Sequence, residues 1–132
     1  MHLPYVNYLA VLVSAIAIFV LGGLWYSPAL FAKKWIALSS GQKMSAGPAP
    51  YISAFVCSFL ISWTMALIVN HFGNFSPMRG AAVGFHCWLG FAAATSFATA
   101  MFSGQPKALW LINSGYNLVS FVMAGVILSV WH

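Results

Sequence analysis

The chain has 132 residues, 62% of them hydrophobic and 4% charged, with no Asp or Glu and a formal net charge of +5. A water-soluble domain carries about 25% charged residues, and a chain of this length has too little interior to hide so many apolar side chains. Its surface therefore lies in lipid or against other chains. The five cations sit singly or in a pair at the edges of apolar runs. That excludes a nucleic-acid surface, which needs clustered Lys and Arg, and makes the lipid bilayer the expected partner.

Four apolar stretches succeed one another along the chain, at about residues 5–27, 51–72, 80–102 and 108–131. Each is close to the ~20 residues a helix needs to cross a bilayer. None alternates apolar and polar residues as a membrane barrel strand would. Pro28, Pro48, Pro50, Pro77 and Pro106 stand at segment ends, where a missing N–H costs little. Between the first two spans, about residues 29–38 carry Phe31, Trp35, Ile36 and Leu38 beside Lys33 and Lys34. This pattern predicts a short interfacial helix. Residues 39–50 are rich in Ser, Gly and Pro and are expected to form an irregular loop. The expected fold is thus an all-α membrane protein: one four-transmembrane-helix bundle over residues 1–132, with an interfacial helix after the first span. The first span lacks the basic n-region of a signal peptide.

The cations set the expected orientation. Lys33, Lys34 and Lys43 share the first loop and Lys107 lies in the third, whereas Arg79 is alone in the second. Positive loops favour the cytoplasmic side, so both termini are expected outside. The aromatic residues give two belts: Tyr5, Tyr8 and Trp131 outside, and Trp25, Tyr26, Trp35, Tyr51 and Trp110 inside.

Helices in lipid attract one another by close packing and hydrogen bonds. Gly80 and Gly84 form a GxxxG on the third span, and Gly90 continues with Ala94 at the same spacing. These are expected helix contacts. On the fourth span Asn113, Tyr116, Asn117 and Ser120 fall at i, i+3, i+4 and i+7, one helical face. With Thr95 and Thr99 on the third span and Ser58 and Ser62 on the second, they are candidates for a single interhelical polar cluster. Such a cluster either holds helices together or lines a groove or pore.

The missing carboxylates limit the chemistry. A drug/proton antiporter needs a membrane-embedded acid, and a Ser-His-acid set lacks its third member. No enzymatic role is expected. Cys57 and Cys87 form no CxxC pair, and the histidines show no HxxxH or HxH spacing, so neither a metal site nor a cofactor is expected. His86 lies about seven residues inside the third span and is the candidate intramembrane ionisable group.

The run Gly22-Gly23-Leu24-Trp25-Tyr26-Ser27-Pro28, with Phe31 and Trp35 beyond it, resembles the G-x-x-W-Y-S-P signature of a family of small bacterial membrane proteins grouped as domain of unknown function 1761. Trp88-Leu89-Gly90-Phe91 is similar to its W-L-G-F, and Ile112-Asn113 with Gly115-Tyr116 to its I-N-x-G-Y. The resemblance extends over essentially the whole chain. It implies a four-helix protein of the bacterial inner membrane and brings no activity with it. Physically, Trp25, Tyr26, Ser27, Pro28 and Trp35 read as a corner: aromatic rings at headgroup depth and a proline that turns the chain along the surface. Two functions remain open. One is a non-catalytic accessory or structural protein, homo-oligomeric or a subunit of a larger membrane complex. The other is a small channel or carrier for anions or neutral solutes, lined by Asn, Ser and Thr of spans two to four.

Overall fold

A computed structural model describes residues 6–27, 33, 34, 37, 48–73 and 75–131. Helix α1 spans Tyr8–Trp25 and α2 spans Pro48–Phe72. The third span is composite: α3 over Pro77–Cys87, a π-helical turn over Trp88–Ala93, and α4 over Ala94–Ser103. Helix α5 spans Lys107–Val130. These make four helical spans long and apolar enough to cross a membrane, and no strand forms among the described residues. The chain is a multi-pass, all-helical membrane protein. The expected interfacial helix falls largely outside the described residues, as do Pro28, Phe31 and Trp35. Lys33, Lys34 and Ala37 are helical and exposed.

Local chemistry sets the helix ends. The Asn7 side chain accepts from the backbone N–H of Leu9 and Ala10 at 3.1 and 3.3 Å, capping α1. Ser76 does the same for Arg79 at 3.2 Å, with Pro77 opening α3. Gly73 (φ 71°) and Gly104 (φ 73°) take the left-handed conformation that ends α2 and α4. At Gly104 the bonds Gln105 N–H to Ala100 O and Gly104 N–H to Met101 O complete a Schellman turn.

Helices α1, α2 and α5 pack against one another, and the third span lies along α5 with little contact to α2. The size pattern is that of a lipid-embedded protein. In α1 three of the five buried positions are small, Ala10, Ser14 and Ala15, beside Val11 and Ile18, while Leu9, Leu12, Ile16 and Val20 face outward. Small side chains inside let backbones approach, and large ones meet lipid. The apolar core joins Val6, Ala10, Val11 and Ile18 to Met65, Ala66 and Val69 and to Ala124 and Leu128. It occupies the half of the molecule where α1 begins and α2 and α5 end.

The tightest seam is between α3 and α5. A Cβ on Gly80 would collide with the Gly125 carbonyl and come within 2.7 Å of Ser129 Cβ. One on Gly84 would collide with the Phe121 carbonyl and come within 2.9 Å of Val122 Cα. Gly80 and Gly84 therefore make the backbone contact expected of a GxxxG, and Gly125 is their partner. Gly90 does not. It is exposed, with nothing within 4 Å of where a Cβ would stand. Gly90 stands six residues from Gly84, about 240° around an ideal α-helix, so it lies off the side that faces α5, and it sits in the π turn. An i→i+5 turn holds an extra residue and swings the remainder of the span by about 100° about the helix axis.

Candidate functional site

At the end of the bundle opposite the apolar core, residues 112–116 of α5 gather side chains from two other spans. Trp25 Nε1–H donates to Ile112 O at 2.9 Å, and Trp88 Nε1–H donates to Ser114 O at 2.9 Å. Two indoles, from α1 and the third span, thus bind carbonyls on either side of Asn113. Those carbonyls lie inside a helix, where a second lone pair remains free for such a bond. Tyr26 O–H donates to Asn113 Oδ1 at 2.7 Å, and Tyr116 O–H donates to Ile18 O at 3.2 Å. The Tyr116 ring stands 5.6 Å from Tyr26, edge on, and 6.4 Å from Trp25. Small residues make room for it. A Cβ on Gly22 would stand 3.0 Å from the Tyr116 hydroxyl, and one on Gly115 would stand 3.1 Å from the Trp25 ring.

The three motifs singled out in the sequence therefore meet at one place. The indole of Trp25 and the phenol of Tyr26 have partners within the protein, where the sequence predicts interfacial anchoring. The turn behind them is closed by Ser27, whose hydroxyl donates to Leu24 O at 2.7 Å.

The other polar candidates divide into two groups. Ser58, Ser62 and Ser120 are buried on α2 and α5. Ser62 O–H donates to Ser14 Oγ at 3.0 Å, Ser58 to Ala54 O at 2.8 Å, and Ser120 to Tyr116 O at 2.8 Å. Ser14, a fully buried partner on α1, escapes a sequence reading. Its signal is faint: a lone hydroxyl four residues from Ala10 and four from Ile18 in an otherwise apolar helix. Thr95 and Thr99 are not brought into this cluster. Both are exposed, and each donates to its own helix, to Phe91 O at 2.7 Å and Thr95 O at 3.1 Å. A hydroxyl bonded to the i−4 carbonyl can face lipid without an unmet polar group. Asn117 is half-buried and makes no side-chain hydrogen bond among the described residues.

His86 is exposed, with Nδ1 2.8 Å from Ala82 O. In the Nδ1–H tautomer it donates to that carbonyl. Beyond the π turn, Trp110 Nε1–H donates to Ser96 Oγ at 2.9 Å, and Ser96 O–H to Ala92 O at 2.6 Å. Trp110, expected at the inner belt, thus ties α4 to α5, with the Phe97 ring 5.1 Å away.

Chemically, this arrangement is a junction. Aromatic N–H and O–H groups bond helix carbonyls and the Asn113 amide, and the buried serines bond either one another or the carbonyl four residues back. No curated protein and no solved structure matches the chain. A family model described as a protein of unknown function (DUF1761) matches residues 9–129, nearly the whole chain, and the chain belongs to that family.

Proposed function

We propose that the chain is a non-catalytic membrane subunit that acts by assembly, pairing with further copies of itself through the third span. The observation that carries this reading is the uneven use of surface. Helices α1, α2 and α5 bury 28%, 28% and 33% of their spanning stretches within the chain, and the third span buries 11%. The third span touches α5 along one side and leaves Gly90, Phe91, Ala94, Thr95 and Ala98 uncovered. Uncovered small residues at four-residue spacing, beside aromatic ones, are what close helix association in lipid uses. The half-buried amide of Asn117 is a second handle, because an amide at membrane depth is stabilised by a partner. The absence of any Asp or Glu supports a role without acid–base chemistry. The location proposed is the bacterial inner membrane with both termini outside.

Gly90 allows a clean test. Among the described residues nothing stands within 4 Å of a Cβ there, so Gly90→Leu is expected to leave the protomer's fold intact. Light scattering of the purified protein in mild detergent is expected to give a dimer or larger for the wild type and a monomer for Gly90→Leu, with equal helix content. A wild type that stays monomeric at all protein concentrations overturns the proposal. The channel reading is tested in parallel with liposomes loaded with halides, small organic anions or uncharged solutes. Flux that Asn117→Leu abolishes while the assembly survives would replace assembly with transport as the function.

A further inference from the structure

Between the end of α2 and the start of α3 lies a cleft of about 230 Å³, walled by Val69, Phe72, Ala82, Val83, Arg79 and Ser129. Phe72 is the last residue of α2 and Arg79 lies in the first turn of α3, so the cleft stands at the membrane boundary. Helices α2 and α3 have little contact with each other there. The walls are mainly apolar, with one exposed guanidinium beside them. The sequence holds no Asp or Glu, so no side-chain carboxylate of this chain neutralises Arg79. The volume is below the roughly 300–1,000 Å³ of pockets that enclose a soluble small molecule. It suits part of a longer amphipathic molecule.

We propose that this cleft holds an anionic phospholipid, with the phosphate on Arg79 and the first segment of one acyl chain along Val69, Ala82 and Val83. A guanidinium fork matches phosphate oxygens in two parallel hydrogen bonds. Basic pockets between membrane helices take anionic headgroups for the same reason. An apolar wall directly beside the charge selects a lipid over a free anion, because only the lipid covers both. This site does not depend on the assembly proposed above, since all its lining residues belong to one copy.

The test uses the delipidated full chain in detergent. Phosphatidylglycerol, phosphatidylcholine with the same acyl chains, or inorganic phosphate is added. Binding is read by native mass spectrometry and thermal unfolding. Phosphatidylglycerol is expected to remain as a one-to-one adduct and to raise the unfolding temperature; the other two are not. Arg79→Gln is expected to weaken phosphatidylglycerol binding by about five-fold, the typical worth of one basic contact at a membrane surface. Arg79→Lys keeps part of it, and Lys107→Gln, on the opposite side of the membrane, keeps all. Ala82→Phe fills the cleft and leaves Arg79 in place, and it is expected to lose the adduct. That variant decides the matter if Arg79→Gln does not fold. Equal binding of phosphatidylcholine, equal protection by inorganic phosphate, or full binding by both Arg79→Gln and Ala82→Phe overturns the proposal.

Discussion

Asn113 holds its place through a phenol, and that bond can be weighed. Tyr26 O–H to Asn113 Oδ1 at 2.7 Å links residues 87 positions apart. Polar bonds between membrane helices contribute about 0.6 kcal/mol on average and up to ~1.7 kcal/mol, because the separated helices also find partners. Tyr26→Phe is predicted to lower stability within that range, and Asn113→Leu by a similar amount. The double variant should lose less than the sum, since the two share one bond. Unfolding in mixed micelles measures all three, and strict additivity would show that the bond contributes nothing. Trp25→Phe is expected to cost less than removing a sole donor, because Ile112 O remains inside a helix. Sequence marks Trp25, Tyr26, Asn113 and Tyr116 as special through their motifs. It cannot show that they touch, because a contact over 87 positions leaves no local periodicity. Ser14 and Gly125 are harder still: one hydroxyl or one missing Cβ in an apolar helix acquires meaning only when its partner is known.

At the scale of elements, the third span contains two different helices end to end. Its first part, α3, meets α5 backbone to backbone at Gly80 and Gly84, and the part beyond the π turn is held chiefly by Trp110 and Ser96. This predicts opposite answers from two glycines of one span. Gly84→Val forces a side chain into the Phe121 and Val122 backbone, which cannot rotate away, and is predicted to destabilise by about 1–3 kcal/mol, the usual cost of overpacking. Gly90→Val meets open space and is predicted to leave the thermal stability of the protomer unchanged. Unfolding of both variants in detergent checks this, and equal losses would contradict the divided span. Span number, the turn residues and the α3 GxxxG are legible in sequence because hydropathy, proline and glycine act locally. The π turn is not: every residue of Trp88–Ala93 is compatible with an ordinary α-helix. It shows only in the i→i+5 backbone geometry of the folded chain.

For the whole molecule, the absence of acidic residues turns the distribution of cations into an orientation. Lys33, Lys34, Lys43 and Lys107 fall on one side of four spans and Arg79 on the other. No Asp or Glu in any loop offsets them. In the orientation proposed above, retention of positive loops in the cytoplasm would put the first and third loops inside and the α2–α3 turn outside. That orientation would put the polar junction toward the inner face and the Arg79 cleft at the outer leaflet. Single cysteines test this in a background lacking Cys57 and Cys87. Lys43→Cys and Asn74→Cys are introduced separately, and intact cells are treated with a membrane-impermeant maleimide. Position 74 is predicted to react in intact cells, and position 43 only after the membrane is opened. The reverse pattern would invert the protein. It would leave the helix packing untouched but move the proposed phospholipid site to the inner leaflet, so that the lipid bound there would come from the cytoplasmic side.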